Sequence, residues 1–177
     1  MSKPIRRVVT GHDDQGRSVF IMDGPAPTVH ARNTGSAVCT ELWETTSMPA
    51  DNHGNADPTL HPYRLPPQAN GTVFRVIEYP PDRIRLAAMN QQQSASAGID
   101  GNPQHYHGTS RHPGFHKTDS VDYAIVLQGE IWALMDEGET LLRQGDILIQ
   151  RGTNHAWSNR TEQPAYVAFV LIDAKPV

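Results

Sequence analysis

The stretch DYAIVLQGEIWALMDEGETLLRQGDILIQRGTNHAWSN, residues 122–159, decides the fold. Apolar residues gather in short runs, and nearly every run stops at a glycine or an asparagine. Asp122 to Leu127 predicts a strand with Gln128-Gly129 as its turn. Glu130 to Met135, Thr140 to Arg143, Asp146 to Gln150 and His155 to Ser158 predict more, separated by DEGE, Gln144-Gly145 and RGTN. Beyond NRTEQP, Ala165 to Ile172 predicts another. Short strands at roughly eight-residue spacing, with such turns between them, predict an antiparallel sandwich or barrel. Gly129, Gly145 and Gly152 are expected at positive-φ turn positions, and Asn159 and Asp146 as turn residues.

Outward from that stretch the signals thin. Arg6 to Thr10 and Ser18 to Met22 flank DDQGR and predict a hairpin. Ala37 to Trp43 predicts a further strand. Residues 47–70 carry five prolines (Pro49, Pro58, Pro62, Pro66 and Pro67) and read as an irregular connection. Thr72 to Tyr79 alternates and predicts a strand that Pro80-Pro81 stops. Ile84 to Met89 is expected as another, and no segment has helical periodicity. Residues 90–111 are polar and rich in Gly, Ser and Gln, as a lid or loop would be.

The chain has 177 residues, enough for one domain with an extension. Lys and Arg number 15 against 19 Asp and Glu, a net charge of −4, which argues against nucleic-acid and anionic-membrane partners. One cysteine, Cys39, excludes an internal disulfide and a cysteine-rich zinc site, and is expected to be structural. Neither a signal peptide nor a membrane span is visible, so the expectation is a cytoplasmic protein. Nine histidines are many for this length, and they are unevenly placed.

Side chains alternate along a strand, so His116, Thr118 and Asp122 share a face if the strand beginning in HPGFHKTDSVDYAIV is continuous. His155 follows the Arg151-Gly152 turn and opens a strand carrying Trp157. At these two stretches the sequence resembles the cupin superfamily. The family's first motif, G-x5-H-x-H-x3–4-E-x6-G, is met by His116, Asp122 and Gly129. Its second, G-x5-P-x-G-x2-H-x3-N, is met by Gly145, His155 and Asn159. The chain departs from the pattern in several places. Thr118 stands at the second histidine, Asp122 at the glutamate, Ser110 at the opening glycine and Arg151 at the proline.

The resemblance implies an all-β, cupin-type double-stranded β-helix (jelly-roll) barrel over residues 65–177. Residues 1–64 are then an N-terminal β extension that packs on the barrel or on a partner subunit, giving a homodimer. It implies a small-molecule substrate in a barrel interior lined by His116, Thr118, Asp122, His155 and Trp157. His116, Asp122 and His155 are carried over as catalytic and metal-binding residues, a 2-His-1-carboxylate set suited to a divalent ion. Fe(II) is expected first, with Zn, Mn or Ni as alternatives. Thr118, Trp157, His112 and His107 are expected to contact substrate, the last two from a histidine-rich loop. Each residue also has a structural reading: His155 as a turn cap, Asp122 as a loop anchor, Trp157 as cavity wall. A rival H-x-H pair, His105-Tyr106-His107, lies too far from Asp122 for the motif. The expected activity is metal-dependent, oxygenase-type chemistry. The alternatives are a non-oxidative lyase, isomerase or hydrolase, or a non-catalytic small-ligand-binding barrel.

Overall fold

The computed structural model describes residues 4–32, 34–90 and 111–177. Eleven strands and one helix follow in the order β1 (Arg6–His12), β2 (Ser18–Pro25), β3 (Val29–Ala31), β4 (Val38–Thr45), β5 (Thr72–Tyr79), α1 (Asp82–Asn90), β6 (Ser120–Gln128), β7 (Glu130–Met135), β8 (Glu139–Arg143), β9 (Ile147–Arg151), β10 (His155–Ser158) and β11 (Ala165–Asp173). The expected strands of the second half all form, with ends shifted by two residues or fewer. Gly129, Gly138, Gly145 and Gly152, all at positive φ, set four of the five turns between them. Gly129 joins β6 to β7 at φ +80°, and a Cβ there would stand 3.1 Å from the Pro164 carbonyl oxygen, so a side chain is disfavoured on two counts.

A six-stranded sheet in the order β3-β4-β5-β11-β6-β9 faces a three-stranded sheet, β10-β7-β8. All pairings are antiparallel. Alternation fills the space between the sheets. Along β6, Ser120, Asp122, Ala124 and Val126 are buried, while Tyr123 and Leu127 are exposed. Val73 and Tyr79 of β5 and Val167, Phe169 and Leu171 of β11 join Ala124, Val126, Ile131, Ala133 and Trp157 in one apolar core. The inward face therefore runs from polar to apolar along a single strand, and the site sits at the polar end.

Residues 1–64, read as an extension, divide in two. β1 and β2 form the expected hairpin, a sheet of their own. β3 and β4 belong to the main sheet, where β4 pairs with β5 from Val38↔Glu78 to Thr45↔Thr72. The strand expected over Ile84 to Met89 is corrected: these residues lie in α1. Pro80 and Pro81 end β5, and the Pro81 carbonyl accepts the amides of Ile84 and Arg85, 2.9 and 3.0 Å away. Asp82 places an acid in the first turn, where the helix dipole favours it. One turn signal and nine residues are too little for periodicity to reveal.

Asn159 pins this arrangement. It is fully buried, and its Nδ2 donates to Tyr79 O and Gln163 O, each at 2.8 Å. Its Oδ1 accepts from the Thr161 amide and hydroxyl, and its own carbonyl takes the Asp82 amide at 2.7 Å. Asn159→Ala is expected to lower stability by about 2–4 kcal/mol in urea unfolding, because several buried groups lose their partners at once. A loss below about 0.5 kcal/mol would show that this pin is unimportant.

Candidate functional site

His116 lies just before β6, and His155 opens β10. Their backbones form an isolated antiparallel bridge, each amide donating to the other's carbonyl at 2.9 Å. Residues paired in this way project side chains to one side, and the imidazole centroids stand 4.3 Å apart. The Nδ1 of His116 faces Gly114 O and that of His155 faces Thr153 O, both at 2.9 Å. A carbonyl only accepts, so both rings carry a proton on Nδ1. Burial, reinforced by the adjacent His116, pushes His155 down to about 3. His155 is therefore neutral at physiological pH.

Asp122 reaches the same cavity from β6. Its Oδ1 accepts from Ser120 Oγ at 2.6 Å, and Ser120 Oγ lies 2.9 Å from Thr118 Oγ1. Ser120 Oγ is the donor toward both Asp122 and Thr118, so its one proton is shared between them in a chain of three side chains. Burial pushes Asp122 up to about 6, against the Ser120 hydrogen bond and the Arg75 charge. Trp157 is wall and core together: its ring meets His155 edge-on at 6.0 Å and Phe169 at 5.3 Å.

His116, Thr118, Asp122, His155 and Trp157 thus line one cavity, with Leu65, Arg75 and Tyr79 among the other walls. Its volume is about 30 Å³, room for a water molecule or an ion. Nδ1–H groups held by backbone carbonyls are the orientation that metal-ligating histidines require. Asp122 lines the cavity without closing the set: among the described residues, no group of three His, Cys, Asp or Glu stands close enough to hold an ion.

His112 is placed elsewhere. It is buried beside α1, where its Nδ1 accepts the Gly114 amide at 3.0 Å and its Nε2 faces the Asp82 carboxylate at 3.7 Å. Asp82 also takes Arg85 at 2.7 Å and Ser158 Oγ at 2.5 Å. Burial works to raise its pKa, and these partners outweigh burial and lower it. His112, expected to contact substrate, here latches α1 to β10 and is not among the residues that line the cavity. His107, with His105, Tyr106 and Ser110, lies outside the described residues.

Sequence reasoning missed the charges behind the site. Arg75, 1% exposed, lines the cavity, and its Nε stands 3.3 Å from Glu41 Oε2. It also donates to Tyr63 Oη and Arg64 O, both at 2.9 Å. Cys39 is buried 3.7 Å from the other Glu41 oxygen, and burial pushes its thiol far up, so it is inert. The available signal was parity: Arg75 shares an inward face with Val73, Ile77 and Tyr79.

No family model matches the chain. Among curated proteins it is 31% identical to phomopsin biosynthesis cluster protein C' of Diaporthe leptostromiformis, across 97% of this chain and 79% of that protein. It is 29% identical to the cupin-domain-containing oxidoreductase virC of Hypocrea virens, across 97% of this chain and 77% of that one. Among solved structures, a Cupin 2 conserved barrel domain protein from Salinispora arenicola aligns loosely. It is 17% identical, with a TM-score of 0.38, over 65% of this chain and 72% of its own.

The raised Asp122 pKa makes a pH prediction for metal-free protein. Between about pH 4 and 6 the unfolded state loses this proton while the folded state keeps it, so the contribution of Asp122 falls as pH rises. His155 acts oppositely between about 3 and 6.5, since only the unfolded state binds its proton there. The two partly cancel in the native protein. Asp122→Asn is therefore expected to gain stability relative to wild type across pH 4–6, on the order of 2–3 kcal/mol. Parallel stability curves for the two proteins would contradict the assignment.

Proposed function

Because the chain belongs to the cupin superfamily, we propose that it is a cupin oxidoreductase acting on a small organic molecule at the His116–His155 end of the barrel interior. The observation that carries this reading is the pair of oriented imidazoles beside a carboxylate that ionises near neutrality, all on one cavity. Relatives named as cupin-domain-containing oxidoreductases support the reaction class.

The cavity admits only a water-sized occupant, so an organic substrate approaches from the side of His116, the more exposed of the two histidines. Asp122, ionised above about pH 6, takes a proton from a substrate hydroxyl or an enolisable carbon. Ser120 and Thr118 steady the carboxylate while it waits. The buried Arg75 cation favours its charged form. His155 stays neutral through this transfer and keeps its lone pair on Nε2. A divalent ion, Fe(II) before Zn, Mn or Ni, would be held by His116 and His155, with Asp122 beside it as the base, and would supply the redox chemistry with dioxygen. The substrate class is a hydroxylated or keto compound.

Among the described residues the donor set falls short of three, which favours a second reading, a small-ligand-binding barrel without redox chemistry. A homodimer belongs to the proposal as well. Among the described residues the β1–β2 hairpin pairs with no other strand, and it leaves Phe20 74% exposed, a face that a second copy would cover.

Anaerobic Fe(II) reconstitution, metal analysis and an oxygen electrode test the reading against catechols, hydroxyketones and diketones. The expected result is bound iron and substrate-dependent oxygen uptake, with His155→Ala reducing iron to background and His105→Ala retaining it. Turnover without oxygen by Zn(II) or Ni(II) protein would replace the redox reading with a non-oxidative one. Ligand-induced melting shifts with no metal bound would favour the binding barrel.

A further inference from the structure

The carbonyl that orients His116 is itself held in place. Gly114 O takes the His116 Nδ1 proton at 2.9 Å, and the amide of the same glycine donates to His112 Nδ1 at 3.0 Å. The Phe115 amide, in the peptide unit that carries Gly114 O, reaches His112 O at 3.4 Å. That backbone contact is long, so the His112 ring is the closer hold on this turn. Glycine lets the ring come this near: a Cβ on Gly114 would stand 3.0 Å from His112 Nδ1 and 3.1 Å from its Cε1.

The His112 ring has little freedom of its own. It is 5% exposed. An amide can only donate, so His112 Nδ1 carries a lone pair and the ring proton sits on Nε2. Nε2 faces Asp82 Oδ2 at 3.7 Å. Arg85 Nη2 lies 3.3 Å from the same nitrogen, but its two protons are committed to Asp82 Oδ1 at 2.7 Å and Trp157 O at 2.5 Å. Asp82 is fastened in turn to β10 by Ser158 Oγ at 2.5 Å. A chain of contacts thus runs from α1 and β10 through His112 and Gly114 to the His116 ring. His155 is held independently: Thr153 O, which faces its Nδ1, also accepts Gln150 Nε2 at 3.2 Å.

We propose that His112 is a positioning residue for His116: it fixes Gly114 so that the glycine carbonyl keeps the His116 ring in one orientation, with its proton on Nδ1. What that orientation serves rests on the redox reading of the site; the positioning itself does not.

The test uses long-range ¹H–¹⁵N spectra of the imidazole rings in full-length, metal-free protein at about pH 8, above the ordinary histidine value of about 6.5. His112→Leu removes the acceptor for the Gly114 amide. His112→Asn keeps one, because the Asn Oδ1 takes the place of the His Nδ1. Wild type and His112→Asn are expected to show His116 protonated on Nδ1, and His112→Leu a mixture of Nδ1- and Nε2-protonated rings, with His155 the same in all three. If His112→Leu fails to fold, Gly114→Ala, whose methyl group crowds the His112 ring, is expected to give the same mixture. Co(II) titration followed by absorbance is the second readout. His112→Leu is expected to bind Co(II) at least about tenfold more weakly than wild type, and His112→Asn within about threefold of it. An unchanged His116 signal in His112→Leu, a change shared equally by His155, or no rescue by His112→Asn would overturn the assignment. Wild-type protein that takes up no Co(II) would count against the redox reading, and the spectra alone would then decide the positioning.

Discussion

Two backbone hydrogen bonds, exchanged between His116 and His155 at 2.9 Å each, are the constraint on which the site depends. His116 leads into β6 of the larger sheet, and His155 begins β10 of the smaller one. The bridge therefore stitches the two sheets together at the polar end of the barrel. It also leaves the two rings no choice of neighbour, because residues paired in this way point to the same side. Everything chemical in the site follows from that juxtaposition: carbonyl-oriented Nδ1 protons, and a basicity of His155 that burial has nearly abolished.

The rest of the interior is arranged around it by strand alternation. One face of β6 supplies Ser120 and Asp122 to the site and Ala124 and Val126 to the core, so the same pairing with β11 fixes both. Behind the site lies the Arg75–Glu41 ion pair, excluded from solvent. Burying two charges offsets much of their mutual attraction, so the pair contributes little to stability. Its visible effect is electrostatic. Arg75 holds a positive charge beside Asp122, which limits how far burial raises the carboxylate pKa.

Much of this was legible in the sequence because glycine and asparagine punctuate the strands of the second half, and turn chemistry is local. His116, Asp122 and His155 were legible for a related reason: their spacing relative to Gly129, Gly145 and Asn159 records which strand each belongs to. The helix was not legible, since nine residues behind two prolines carry no periodic signal and Asp82 finds Ser158 and His112 only in three dimensions. The latch role of His112 was hidden for the same reason. Arg75, Glu41 and Gln150 each sit at an inward parity position among apolar residues, an irregularity that sequence shows but does not explain. Whether a polar residue at such a position meets a partner is decided by strands distant in the chain.

The central claim is that carbonyls orient His116 and His155 through Nδ1 and that His155 is neutral at physiological pH. Long-range ¹H–¹⁵N spectra of the imidazole rings in metal-free protein measure this directly. The account predicts a proton on Nδ1 of both rings, with His155 a neutral tautomer at pH 7 that remains neutral on acidification until near pH 4 or until the protein unfolds. A His155 ring that carries its proton on Nε2, or that titrates near the ordinary value of about 6.5, would contradict it.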